Sequence, residues 1–215
     1  MHFKGLVVNL AILSISASGL VGCQTDNVFA FSQQSVTPHK PSNDAAHSSK
    51  SNCTEHIVLS TVGVGGITPK TPASLEELSN ALPCFHIEEK TGSSEGVTYP
   101  YFSASRDGVI QLSIIPKADG NRLQSVVISG KQVRSTLGHP IGSLFHKVYP
   151  SGDATSCQPG LEELSGTVVC PAPTAQNIVY LFSGAWHGPD GEMPPMDVLN
   201  MWTLIRISWS PGGDK

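Results

Sequence analysis

Three regimes of hydrophobic patterning divide the chain. Gly5 to Val21 is apolar and carries no charge. Gln24 to Asn52 is dominated by Ser, Gln, Pro, His and Asn and has little apolar periodicity after Phe31. From Ile57 onward, short apolar runs with a period near two are broken by Gly, Pro and Asp-Gly, the pattern of strands joined by turns. Ile57 to Val64 is β-branched and reads as one strand, ended by Gly63, Gly65 and Gly66. Leu75, Leu78, Ala81 and Leu82 recur at helical spacing, which predicts a helix over 73–82. Thr71-Pro72 reads as its N-cap and first helical position, Glu76 and Glu77 suit its positive end, and Pro83 stops it.

The following segments predict a meander. Strands are expected at Cys84 to Glu89, Val97 to Ser105, Val109 to Ile115 and Leu123 to Ser129. Arg106-Asp107-Gly108 has the hairpin composition, because Asp and Gly tolerate positive φ. The second half restarts the pattern. Helix-like spacing within Thr136 to Val148 precedes strands at Thr167 to Val169, Asn177 to Ser183 and Met201 to Trp209. Helix followed by antiparallel strands, twice over, predicts an α+β fold with two short helices packed on antiparallel sheet, in two loosely repeated halves. Leu-Glu-Glu-Leu-Ser occurs at 75–79 and again at 161–165. Tyr99, Tyr101, Phe102 and Tyr180 read as core or cross-strand packing residues.

Charge and cysteine content place the chain. Lys4, the uncharged Gly5 to Val21 stretch and Gly22-Cys23 follow one another as the parts of a secretory signal, with an apolar region short of a membrane span. The segment resembles the lipobox of secreted bacterial lipoproteins. That resemblance implies cleavage before Cys23 and lipidation of Cys23, so that 1–22 is a signal peptide, 23–52 a lipidated cysteine with a disordered tether, and 53–212 a single periplasmic domain. Gln24 after the lipidated cysteine favours the outer membrane under enterobacterial sorting rules. The whole chain holds 13 Lys+Arg against 17 Asp+Glu, and loss of Lys4 makes the balance 12 against 17. Such a balance argues against nucleic acid as partner and against electrostatic adhesion to anionic lipid. The membrane partner is therefore reached through the N-terminal lipid. Of five cysteines, four remain after Cys23: Cys53, Cys84, Cys157 and Cys170. Three pairings are open, and proximity in sequence favours Cys53 with Cys84 and Cys157 with Cys170.

Candidate chemistry is sparse. Cys53-x-x-His56 with Cys84-x-His86 has the residue types of a zinc site, but the spacing is loose and an oxidising compartment favours a disulfide. Asp190, Glu192 and Asp197 supply carboxylates without the spacing of a calcium loop. Ser183, His187 and Asp190 are the residue types of a hydrolase triad, without a Gly-x-Ser-x-Gly elbow. Trp186, His187, Asp190 and Met193 form the candidate binding rim for a partner; the alternative is that Trp186 and Met193 plug the domain edge. No catalytic residue, metal site or cofactor is assigned. The expected function is a non-enzymatic envelope module, with a small hydrolase or metal-handling protein as alternatives.

The run from Phe182 to Pro194, the Gly63-Val64-Gly65 segment with Thr68, Thr71 and Pro72, the Cys157/Cys170 spacing, and Trp202 with Trp209 resemble the YfeY-like lipoproteins over residues 57–210. The resemblance implies a sigma-E-linked outer-membrane lipoprotein facing the periplasm, of unknown molecular function; the anchor, the tether, the disulfides and the lack of a catalytic motif point to an unidentified envelope protein as its partner. It brings no catalytic residues. This chain has a longer tether than the enterobacterial members and adds Cys53 and Cys84.

Overall fold

Residues that alternate along the sequence alternate between the two faces of one large sheet. In a computed structural model of the chain, Cys53 and residues 56–94 and 96–212 are described. The expected signal, Cys23 and the tether lie outside them. Eight strands form the sheet: β3 (His86–Ser94), β4 (Val97–Arg106), β5 (Val109–Pro116), β6 (Leu123–Ile128), β8 (Gln158–Pro159), β9 (Thr167–Ala172), β10 (Ala175–Ser183) and β11 (Thr203–Trp209). Their spatial order is β3-β4-β5-β6-β11-β10-β9-β8, with every pairing antiparallel. A second sheet sets β1 (Ile57–Ser60) between β2 (Gly63–Val64) and β7 (Val133–Ser135), with β7 parallel to β1.

The register explains the core. Partnered residues run Ile87, Ala104, Leu112, Ile128, Ile207, Tyr180, Cys170 across seven strands, and all are buried. The next row, Phe102, Ile114, Val126, Trp209 and Ile178, is buried as well. Against this face pack the small sheet and three short helices: α1 (Leu75–Ala81), α2 (Phe145–Val148) and α3 (Met196–Leu199). They contribute Leu59, Val64, Leu78, Phe145, Val148 and Leu199 to the same core. Burial pushes the Tyr180 phenol up to about 12 and raises Tyr149 as well, the Tyr149 hydroxyl donating to the Pro171 carbonyl at 2.7 Å.

The opposite face carries Glu88, Ser103, Ser113, Val127, Ser208 and Val179 in register. Its sheet is rolled rather than flat. Eight flat strands would separate β3 from β8 by about 34 Å. Yet the Ser94 hydroxyl at the end of β3 donates to Glu163, four residues beyond β8, and four residues reach at most about 14 Å.

The α+β class and the doubled pattern are both present. The first half supplies β1 and β2 to the small sheet and the second supplies β7; each half then gives a helix and a four-strand meander, and β6 and β11 join the meanders. Asp107 and Gly108 occupy the β4–β5 turn with φ of 53° and 75°, the geometry their composition implies. Other expectations need correcting. Ile57 to Val64 is a hairpin of β1 and β2, not one strand. Gly63 sits where a Cβ would lie 2.0 Å from the Ile67 carbonyl oxygen, so close backbone approach requires glycine there.

The α1 cap is Ser74, whose hydroxyl accepts from the Glu77 N–H at 3.4 Å; Thr71 instead accepts from the Thr68 N–H at 2.9 Å and closes a turn. Leu75 is exposed, and Leu78 is the residue of α1 that is buried. Thr136 to Val148 yields a single helical turn. Its Phe145 and Val148 are buried, and the backbone before them bonds across to β11 instead, Gly142 N–H reaching the Leu204 carbonyl. Tyr99 and Tyr101 leave the core: strand alternation sends Phe102 inward and both tyrosines to the second face.

Candidate binding site

The Gly-rich connection from β10 to α3 builds one wall of a cleft, and the Cys157–Cys170 loop builds the other. Cys157 and Cys170 are disulfide-bonded with Cα atoms 4.2 Å apart, and Cys53 and Cys84 are bonded with Cα atoms 5.4 Å apart. Within the Cys157–Cys170 loop lies a 3-10 turn (Glu162–Leu164), followed by Ser165 and Gly166. The Ser165 hydroxyl donates to Asp190 Oδ1, and Thr167 donates to the Leu164 carbonyl. The space between the walls is about 220 Å³ and is bordered by Trp186, Asp190, Glu192, Ser165, Thr167 and Trp202.

Two glycines set the shape of this region. A Cβ on Gly184 would fall 2.2 Å from Trp202 Cδ1, and one on Gly188 would fall 2.0 Å from Trp186 Cζ2. Each glycine therefore lies flush on an indole, and the Gly-Ala-Trp-His-Gly run is a packing pattern first. Trp186 and Met193 are partly buried and packed on the core. His187 and Asp190 are exposed. Trp202 is 4% exposed, yet its indole N–H has no hydrogen-bond partner among the described residues. A buried donor left unmade costs about 1–3 kcal/mol. Gly184→Ala is expected to lower stability by about 1–3 kcal/mol through displacement of Trp202, read as a reduced midpoint in urea unfolding. An unchanged midpoint would show that the indole moves freely.

The sequence-based candidates separate. Ser183 donates to the Gly166 carbonyl at 3.4 Å and Asp190 accepts from Ser165, so the triad types are not joined into a triad. Asp190, Glu192 and Asp197 do not converge; among the described residues, no group of three or more His, Cys, Asp or Glu could hold a metal ion. Cys53 and Cys84 are oxidised to a disulfide and offer no thiolate to zinc. Ser165 and Thr167 escaped sequence reasoning because they approach the cleft from the far side of the disulfide loop, and no spacing in the chain links position 165 to position 190. Trp202, expected within the last strand, immediately precedes it, and no spacing in the chain marks it as a lining residue of the cleft.

Comparison with known proteins agrees with the fold. The chain is 26% identical over 152 residues to the uncharacterized protein YfeY of Escherichia coli strain K12, a match covering 70% of this chain and 78% of that protein. The crystal structure of the uncharacterized protein YfeY from Escherichia coli superposes with a TM-score of 0.61 at 28% identity, over 71% of this chain and 98% of that one. A family model described as protein of unknown function (DUF1131) matches residues 44–211. The likeness thus spans both meanders and the cleft between β9 and α3, and the chain belongs to the DUF1131, YfeY-like family.

Proposed function

We propose that the chain is a lipid-anchored protein of the bacterial cell envelope that acts by binding a partner rather than by catalysis. The observation that carries this reading is cysteine parity. Cys53, Cys84, Cys157 and Cys170 are all in disulfides, which leaves Cys23 as the one remaining cysteine of the sequence. Paired cysteines suit an oxidising compartment, and the leftover one stands at the end of the lipobox-like segment. Two or more acyl chains on Cys23 would hold the protein to the bilayer where a single chain is marginal. Gln24 at the next position supports an outer-membrane destination with the domain facing the periplasm.

The cleft supports binding over hydrolysis. Its hydroxyl–carboxylate pair, Ser165 and Asp190, and the nearby Ser183 have no imidazole hydrogen-bonded to them among the described residues. A base must reach the nucleophile for acyl transfer. The exposed His187 and Asp190 at the mouth form the contact edge, with Trp186 and Met193 as their support. Metabolic labelling with a fatty-acid analogue tests the anchor. Wild-type protein should take up label and partition with membranes, and Cys23→Ala should lose all of it. Label retained by Cys23→Ala would exclude this reading.

A further inference from the structure

A second cavity lies on the large sheet, on the face turned away from the core. A cavity of about 400 Å³ is bordered there by residues of five adjacent strands, among them Tyr99, Tyr101, Ser113, Ile115, Val127 and Arg206. Its size falls in the range of ligand sites. The register places these side chains together: Tyr101 lies opposite Lys90, Ser113 opposite Val127, and Val127 opposite Ser208, which stands two residues along β11 from Arg206 on the same face. Tyr99 lies over Gly92, whose Cβ would be 2.8 Å from the Tyr99 ring, so the missing side chain seats the aromatic across β3. The two tyrosine rings are 6.5 Å apart at 48°, forming neighbouring platforms on one face.

The chemistry of the lining is specific. Outside the lining, on the same strand as Gly92, Glu88 is paired with Lys90 at 2.7 Å and His86 at 3.3 Å. Arg206 is exposed, and among the described residues no carboxylate pairs with it. Hydroxyls of Tyr99, Tyr101, Ser113 and Ser129 alternate with the apolar surfaces of Ile115 and Val127. An alkyl chain laid here would leave those hydroxyls unpaired. A pyranose presents C–H faces to aromatic rings and hydroxyls at its rim, matching both halves of the lining. The unpaired guanidinium adds a planar fork suited to a carboxylate.

We propose that this sheet face binds an acidic oligosaccharide, with Tyr99 and Tyr101 under successive sugar rings and Arg206 on a sugar carboxylate. The site is separate from the Trp186 cleft and does not depend on it. Isothermal titration of the full chain in nonionic detergent with tetragalacturonate tests the proposal, with cellotetraose, decanoate and inorganic phosphate as comparison probes. Tetragalacturonate is expected to bind at least tenfold more tightly than neutral cellotetraose. Arg206→Gln should weaken it at least tenfold and Arg206→Lys should restore part of the loss, while cellotetraose binding stays unchanged. Tyr101→Ala should weaken both sugars, with unaltered thermal unfolding of the Arg206 variants and of Tyr101→Phe as the check on folding. Absence of heat with millimolar tetragalacturonate, equal affinity of wild type and Arg206→Gln, tighter binding of decanoate, or phosphate binding of equal strength would each overturn it.

Discussion

Trp209→Ala is expected to destabilise the fold by about 3–5 kcal/mol, the range for truncating a large buried aromatic. Trp209 is fully buried and stands where the two meanders meet, partnered by Val126 on β6 and Ile178 on β10. Its indole N–H donates to the Thr61 carbonyl at 3.2 Å, tying the β1–β2 turn to the large sheet. Asn177 Nδ2 donates to the same carbonyl at 2.8 Å. Truncation therefore leaves that oxygen satisfied, and the loss is mainly the cavity. Trp209→Phe should recover most of it, falling short by about 1 kcal/mol for the hydrogen bond and the unfilled volume. Urea unfolding followed by circular dichroism measures both. A loss below about 1 kcal/mol for Trp209→Ala would mean that the join between the meanders does not depend on this ring.

Replacing Cys157 and Cys170 together by alanine should remove about 3 kcal/mol, the chain-entropy value for a loop of this length. The separation is 13 residues, and Cys170 is wholly buried within the row that crosses the sheet. Alanine is the fitting replacement because a hydroxyl at position 170 would be buried without a designated partner. The effect should also be local. The 3-10 turn and Ser165 lie inside the closed loop, so its release should free Asp190 from the Ser165 hydroxyl. The measurement is the unfolding free energy of the double variant beside wild type under non-reducing conditions. A difference under about 1 kcal/mol would show that the pairing of β8 with β9 holds the loop without the covalent link.

Much of the fold was legible because its signals are local. Asp107-Gly108 marks a hairpin by composition, and the alternation in Val109–Pro116 and Leu123–Ile128 marks strands with one buried face. The loose doubling of helix and strands anticipated the two meanders. The errors fall where two local signals compete. Thr71-Pro72 has cap chemistry, but its hydroxyl is used by the Thr68 turn, and Ser74 takes the cap. Of the residues read as core or cross-strand packing, Phe102 takes the core, while Tyr99 and Tyr101 pack across β3 on the other face. The segment from Gly184 to Met193 borders a cleft. Its supporting glycines read as turn residues until Trp202 and Trp186 were seen against them.

The chain's own residues determine the uncharged apolar run from Gly5 to Val21, the set of four cysteines after Cys23, the strand periodicity and the α+β class, since each depends on spacing or on residue chemistry alone. Only tertiary structure decides what the repeated Leu-Glu-Glu-Leu-Ser becomes. At Leu75 to Ser79 it lies in α1, with Leu78 buried against the sheet. At Leu161 to Ser165 it forms a 3-10 turn, with Glu162 at φ 53° and Leu161 exposed. Five identical residues carry the same helix propensity, which is worth less than burial of one leucine or closure of one disulfide loop. Surroundings therefore choose the conformation. The cleft arises the same way, because Ser165 and Asp190 meet only after β9 and β10 pair and the loop between Cys157 and Cys170 is closed.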